Sequence, residues 1–131
     1  MGANFSKIRN FLLELEYTIL SEDTNEDIFV IEKHEAGIVN MVIDCEEPLL
    51  IFEQFIFDLK NDNMIVFKEL LQKNREIIHG AFVLDETGKK VIFRDTLQIE
   101  NIDFNEFQST LNSLEMLLSE YTDKLIEFSK L

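Results

Sequence analysis

His79 and Asp95 are the two residues of this chain whose types and placement come nearest to chemistry. They fall in two runs rich in β-branched and aromatic residues, Ile77 to Asp85 and Lys89 to Leu97, joined by Glu86-Thr87-Gly88. A three-residue loop with glycine last suits a type I turn closed by a left-handed residue. That loop sets His79 across from Asp95, Ala81 from Phe93 and Val83 from Val91, and on the opposite face Phe82 from Ile92 and Gly80 from Arg94. The first face holds more buried-type pairs and is assigned to the core. A carboxylate facing an imidazole orients it and raises its pKa, which supplies two of the three parts of a nucleophilic triad. The third part is missing. No serine sits in an elbow motif, and Cys45 falls in a strand assigned to the core. The pair is therefore read as a structural cross-strand contact, with an enzyme using His79 and Asp95 kept as an alternative.

The remaining inventory is thin. His34 stands beside Glu32 and Glu35 at a predicted strand end, without the further ligands a metal site needs, and reads as a solvated turn residue. Asp44, Glu46 and Glu47, and likewise Asp85 and Glu86, do not have calcium-loop spacing. The four glycines are isolated, so no phosphate-binding loop is present. No catalytic residue, cofactor or metal is expected.

The elements around these residues follow from periodicity. Residues 4 to 20 read as a helix with Ile8, Phe11, Leu12, Leu15 and Ile19 on one stripe, followed by the acidic loop Ser21 to Asp27. Strands are expected at Ile28 to His34, at Ile38 to Cys45 and at Leu49 to Leu59. In the second of these, Val39, Met41, Ile43 and Cys45 should face inward. The third is apolar on both faces, with Leu49, Ile51, Phe55 and Phe57 opposing Leu50, Phe52 and Ile56. Only one of those faces can meet the chain's own helices, which leaves the other as a binding surface.

Met64 to Lys73 follows as a short amphipathic helix carrying Met64, Phe67, Leu70 and Leu71. Asp103 and Glu106 form a capping box for a last helix. Its apolar residues recur from Phe104 through Phe107, Leu111, Leu114, Leu118, Tyr121 and Leu125 to Phe128, a seam of about 28 residues and ~42 Å. It suits either a helix laid along a sheet or self-association. The order α-β-β-β-α-β-β-α implies an α+β fold of two layers, an antiparallel five-stranded sheet with helices on one face. The expected core includes Phe11, Leu15, Met41, Ile43, Phe93, Phe107 and Leu111.

With 131 residues the chain suits a single domain spanning 1–131, and 46% hydrophobic content with 12 Phe builds a core without staples. Twenty-six acids against 12 Lys and Arg give a net charge of −14. Such a field repels nucleic acid and anionic membranes and favours basic or apolar partner segments. The single Cys45 rules out an internal disulfide and fits a reducing cytoplasm. No apolar run approaches the ~20 residues of a membrane span. Met1-Gly2-Ala3-Asn4-Phe5-Ser6 matches the N-myristoylation pattern, a motif loose enough to arise by chance.

Glu76-Ile77-Ile78-His79-Gly80-Ala81-Phe82-Val83-Leu84-Asp85-Glu86, followed by Val91-Ile92-Phe93-Arg94-Asp95-Thr96-Leu97, resembles the type III secretion chaperone-like superfamily. Within it the chain is most similar to the YbjN-type and CesT/Tir-chaperone-like domains of bacteria. The resemblance implies a small, acidic, cytoplasmic homodimer that holds a segment of a partner protein against apolar patches and has no catalytic residues. The partner-binding residues expected here are Ile51, Phe52, Phe55 and Phe57. The expected dimer residues are Met64, Phe67 and Leu71, with the far face of the third strand as a second candidate surface. A regulatory or scaffold homodimer without a client is the alternative.

Overall fold

The computed structural model describes residues 2–131. Met1, the first residue of the acylation-like motif, lies outside them. The elements are α1 (Ala3–Glu14), β1 (Thr18–Asp23), β2 (Ile28–Lys33), a short 3-10 turn (His34–Ala36), β3 (Ile38–Glu46), β4 (Leu49–Asp58), α2 (Met64–Asn74), β5 (Ala81–Leu84), β6 (Lys90–Gln98) and α3 (Phe104–Ser129). The strands form one antiparallel sheet in the order β1-β2-β3-β4-β6-β5. The α+β class and the antiparallel sheet agree with the sequence. The strand count does not: among the described residues there are six, not five.

The additional strand is β1. The helix read from 4 to 20 stops at Glu14, because Glu16 adopts a left-handed φ of 63° and the Tyr17 amide turns back to the Leu12 carbonyl at 3.0 Å. Ile19, placed on the helical stripe, instead pairs with Ile31. Polar Ser21, Glu22 and Asp23 read as loop, yet an edge strand wet on both faces tolerates them, and charge there discourages unwanted pairing.

One face of the sheet is inner. On it Phe29, Ile43 and Phe52 stand on neighbouring strands, and all three are fully buried. α1 packs here through Phe5, stacked on Phe29 with ring centroids 4.1 Å apart. α3 packs through Phe107, 5.4 Å from Phe52 and 5.5 Å from Phe11. The Asp103–Glu106 capping box is present at the start of α3. α3 lies along the sheet, with Phe107, Leu111, Leu114, Leu125 and Phe128 buried. Of the expected core, Met41, Ile43, Phe93, Phe107 and Leu111 are buried, whereas Phe11 and Leu15 are half-buried at its margin. α2 closes the β5 end of the sheet with Val66 and Leu70.

Three local irregularities override strict alternation. Asn40 takes a left-handed φ of 53° beside a register shift, so Ile38 and Met41 both point inward while Val39 is 40% exposed. Ile56 is an extra residue between Phe55 and Phe57 relative to β6, which turns Phe57 to the inner face instead of leaving it with Phe55. The third is the β5–β6 hairpin. The Asp85 carboxylate accepts from the Thr87 hydroxyl and from the amides of Lys89 and Lys90, while the Asp85 amide donates to the Lys90 carbonyl. The loop therefore runs over four residues, 86–89, not three. Phe82 pairs with Phe93, Ala81 with Arg94 and Val83 with Ile92, one residue away from the expected register. The inward assignment of Val91 and Phe93 stands, but Phe82, not Ala81 or Val83, is their inward partner.

Candidate protein-binding surfaces

α1 and α3 both pack on the inner face, and among the described residues no helix covers the outer face of the sheet. Three rows of rungs cross it: Val30, Val42, Glu53, Arg94 and Ala81; Ile28, Asp44, Ile51 and Thr96; Phe55, Ile92 and Val83. The apolar members shield one another and are mostly half-buried, whereas Phe55 is 47% exposed and Leu49 is 38% exposed. Opposite charges cross the apolar ground in pairs: Arg94 Nε lies 3.2 Å from Glu53, and Lys90 Nζ lies 2.6 Å from Asp58. Lys90 also stands 5.1 Å above the Phe55 ring. Of the four residues singled out on this strand, Ile51 and Phe55 point outward while Phe52 and Phe57 belong to the core. Ile92 and Val83 complete the outward patch. Sequence reasoning missed that role because the slipped hairpin register put Val83 on the inner face.

One corner of this face is electrostatically loaded. Partial burial pushes the Asp44 carboxyl up to about 6, helped by a hydrogen bond and like charge from Glu46 and by the charges of Glu26 and Glu53.

A second apolar surface lies on α2. Asn63 caps this helix by accepting from the Ile65 and Val66 amides. Met64, Ile65 and Leu71 are 81%, 67% and 68% exposed. Phe67 is half-buried beside them and, with Leu70, Leu71, Phe82 and Leu84, lines a pocket of about 270 Å³. The expected residues Met64, Phe67 and Leu71 thus share one end of the molecule. Ile65 and Leu84 are exposed apolar residues as well; the stripe Met64, Phe67, Leu70 and Leu71 passed over Ile65, and also over Val66, which is buried.

The chemical candidates come apart. His79 precedes β5 and is not paired with Asp95, which stands across from Phe52 on β4. The Asp95 carboxylate accepts from the buried Thr110 hydroxyl at 2.8 Å and from the Thr96 amide, so it ties β6 to α3. His79 contributes its carbonyl to the Ser113 hydroxyl at 2.8 Å. Arg94 pairs with Glu53 and stands across from Ala81, not Gly80. His34 Nε2 lies 3.1 Å from Glu32 on an exposed turn. Cys45 is buried and its thiol is pushed up to about 12, chiefly by burial, so it is a poor nucleophile. Among the described residues no group of three or more His, Cys, Asp or Glu is arranged to hold a metal ion. No described helix is long and apolar enough to cross a membrane.

Comparison with known structures places this architecture. YbjN from E. coli superposes with a TM-score of 0.69 at 14% identity, covering 92% of each chain. A chain of the heterodimeric ExoU–SpcU complex from the type III secretion system of Pseudomonas aeruginosa matches with a TM-score of 0.65 at 15% identity, over 86% of this chain and 93% of that one. The Yersinia pestis type III secretion chaperone SycH, in complex with a stable fragment of YscM2, matches with a TM-score of 0.58 at 16% identity, over 97% and 100%. At these identities the likeness is one of fold. No curated protein matches the sequence. The CesT_Tir_1 family model matches residues 1–131, and the chain belongs to that family.

Proposed function

We propose that residues 1–131 act as one domain, a cytoplasmic chaperone-like module that holds a segment of another protein as a homodimer and catalyses nothing. The observation that carries this reading is the outer sheet face, where Ile51, Phe55, Ile92 and Val83 form an apolar ground without a helix over it. Several structures of the same fold, SycH with its YscM2 fragment among them, contain a bound partner protein. The net charge of −14 supports a basic or apolar protein segment over nucleic acid or an anionic membrane. Carboxylates spread around an apolar face also keep it from aggregating while empty.

The test is Phe55→Glu. This side chain is half exposed and outside the core, so the melting temperature should change little while capture of partner protein from the native cell extract is abolished. Capture that survives Phe55→Glu moves the reading to a scaffold or regulatory homodimer without a client. The exposed α2 surface favours that second reading, because its apolar side chains are the more exposed of the two. Turnover of a small molecule that depends on His79 would overturn both.

A further inference from the structure

β2 and β3 form a hairpin whose far end leaves the sheet. The two strands pair from Ile28–Asp44 to Ile31–Met41 and then skip to a last rung at Lys33–Ile38. Val39 and Asn40 of β3 stand against Glu32 alone, and Asn40 takes a left-handed φ of 53°, so the hairpin bends there. β3 pairs with β4 only from Val42–Glu53 to Glu46–Leu49. Among the described residues no rung joins Ile38–Met41 to β4, although β4 runs on beside β6 to the Asp58–Lys90 rung. The hairpin end, from Lys33 to Asn40, therefore forms one wall of a cleft of about 800 Å³, and α3 from Glu115 to Ser129 forms the other.

One side chain bridges the gap between this end and β4. Gln54 is 5% exposed. Its Oε1 accepts from the Val39 amide at 3.3 Å, and its Nε2 donates to the carbonyls of Val39 and Phe55, both at 2.8 Å. Val39 thus has both main-chain groups satisfied by a single carboxamide, which does the work of a missing rung. The other holds on the hairpin end are apolar or lie at its foot. Ile38 is fully buried, and a Cβ on Gly37 would lie 3.6 Å from Leu118 Cδ1 of α3. Lys33 donates to the Leu15 carbonyl at 3.3 Å and stands 3.6 Å from Glu115, which fixes the foot and leaves the tip free to move. Apolar contacts of this kind part and re-form without a set geometry, whereas the three hydrogen bonds of Gln54 form in one position only.

We propose that the end of the β2–β3 hairpin is a flap that opens from β4 and α3 as one unit, pivoting at Asn40, with the Gln54 carboxamide as its latch. Opening uncovers Ile38 and widens the cleft, while β3 stays paired with β4 from Val42 to Glu46. Burial of Ile38 keeps the closed form dominant, so the open form is a minor population below the free energy of global unfolding. The motion requires no partner and is independent of the protein-binding reading above.

Cys45, buried in the paired part of β3, reports opening of the sheet itself. Ile38→Cys adds a second thiol beneath the flap. Under native conditions a thiol reagent should modify the Ile38→Cys site about tenfold faster than Cys45, each corrected for its rate in the unfolded chain. Adding Gln54→Leu should raise that ratio by about a further tenfold, the loss of roughly one net hydrogen bond. Gln54→Glu, made in the otherwise unaltered chain, guards against a fold defect in the double variant. Its carboxylate can accept from the Val39 amide but can donate to neither carbonyl, whereas the protonated carboxyl can donate to one of them again. Hydrogen exchange at the Val39 amide, relative to wild type, should therefore be fast at about pH 7.5 and return toward wild type near about pH 5, because burial raises a carboxyl into that range. The Ile43 amide, in the paired part of β3, should not follow it. Equal reactivity of the two thiols would overturn the flap, and a ratio that Gln54→Leu leaves unchanged would overturn the latch. Val39 and Ile43 exchange that change together in Gln54→Glu would make Gln54 an ordinary packing residue of the sheet and overturn both.

Discussion

Asn74, the last residue of α2, holds Phe82 by both of its main-chain groups. Asn74 Nδ2 donates to the Phe82 carbonyl at 3.1 Å, and Asn74 Oδ1 accepts from the Phe82 amide at 2.8 Å. Phe82 lies in β5, an edge strand whose other side pairs with β6. The carboxamide thus occupies a rung that another strand would otherwise claim. Asn74→Ala should cost about 1–2 kcal/mol, because it leaves two partly buried main-chain groups unpaired. Urea unfolding measures that cost. Hydrogen exchange at the Phe82 amide should rise in the variant and light scattering should detect new aggregation; an unchanged exchange rate would show that the rung is not held by the amide.

Gly80→Ala should be among the most damaging single-methyl changes in the protein. Gly80 has a φ of 90°, and a Cβ there would lie 2.3 Å from Phe93 Cζ, inside the core. Backbone strain and overpacking add, giving a cost of about 3 kcal/mol or more. Adding Phe93→Leu to the variant should recover the steric part but not the strain. Full recovery, read by thermal melts, would mean that the left-handed backbone costs alanine nothing here.

Asp44 makes stability depend on pH in the opposite sense to most carboxylates. Its folded-state value, about 6, is above its ordinary 3.8. The folded state therefore binds this proton more tightly than the unfolded chain does. That contribution is fully present below about 3.8 and is lost as pH rises through about 6. Asp44→Asn keeps the position uncharged throughout. It should stabilise the protein by ~1 kcal/mol at pH 7.5, after allowing for solvent screening of a partly exposed group, and the gain should vanish as pH falls well below the ordinary 3.8. Asp85 acts in the usual direction, with its carboxyl lowered by the Thr87 hydroxyl and the amides of Lys90 and Lys89, so its hold on the hairpin loop weakens in acid. A pH–melting profile of Asp44→Asn that parallels the wild type would remove Asp44 from this account.

What could be read in advance was whatever local chemistry decides. The capping box at Asp103 and Glu106 and the long stripe of α3 need only neighbours within a turn or two. The inward parity of Val91 and Phe93 likewise follows from alternation alone. What could not be read depends on contacts distant in sequence or on one side chain taking over from the backbone. β1 is polar and becomes a strand through its rungs with β2. The hairpin register slipped because the Asp85 side chain captures the Lys89 and Lys90 amides and lengthens the loop. His79 and Asp95 parted with that register. On β4 alternation placed Ile51 and Phe55 against Phe52 correctly, and the extra residue at Ile56 then carried Phe57 into the core.

Self-association through α2 is expected to behave as an apolar contact formed against like charge. Met64 and Leu71 are exposed on the same helix, and Leu71 lines the pocket together with Phe67 and Leu84. Two copies that meet there bury these side chains, but each brings a net charge of −14. Coulomb repulsion between the copies is screened within about 10 Å at 0.1 M salt and within about 3 Å at 1 M, while burial of apolar surface is not weakened by simple salt. The dimer should therefore tighten, not loosen, as sodium chloride is raised from about 50 to 500 mM, the reverse of what an ion-paired interface does. Met64→Glu with Leu71→Glu should give monomer mass by light scattering at high micromolar concentration, with circular dichroism unchanged, since neither side chain is in the core. Wild-type protein that is monomeric at that concentration in 500 mM salt, or a dimer that survives both substitutions, would remove α2 as the interface.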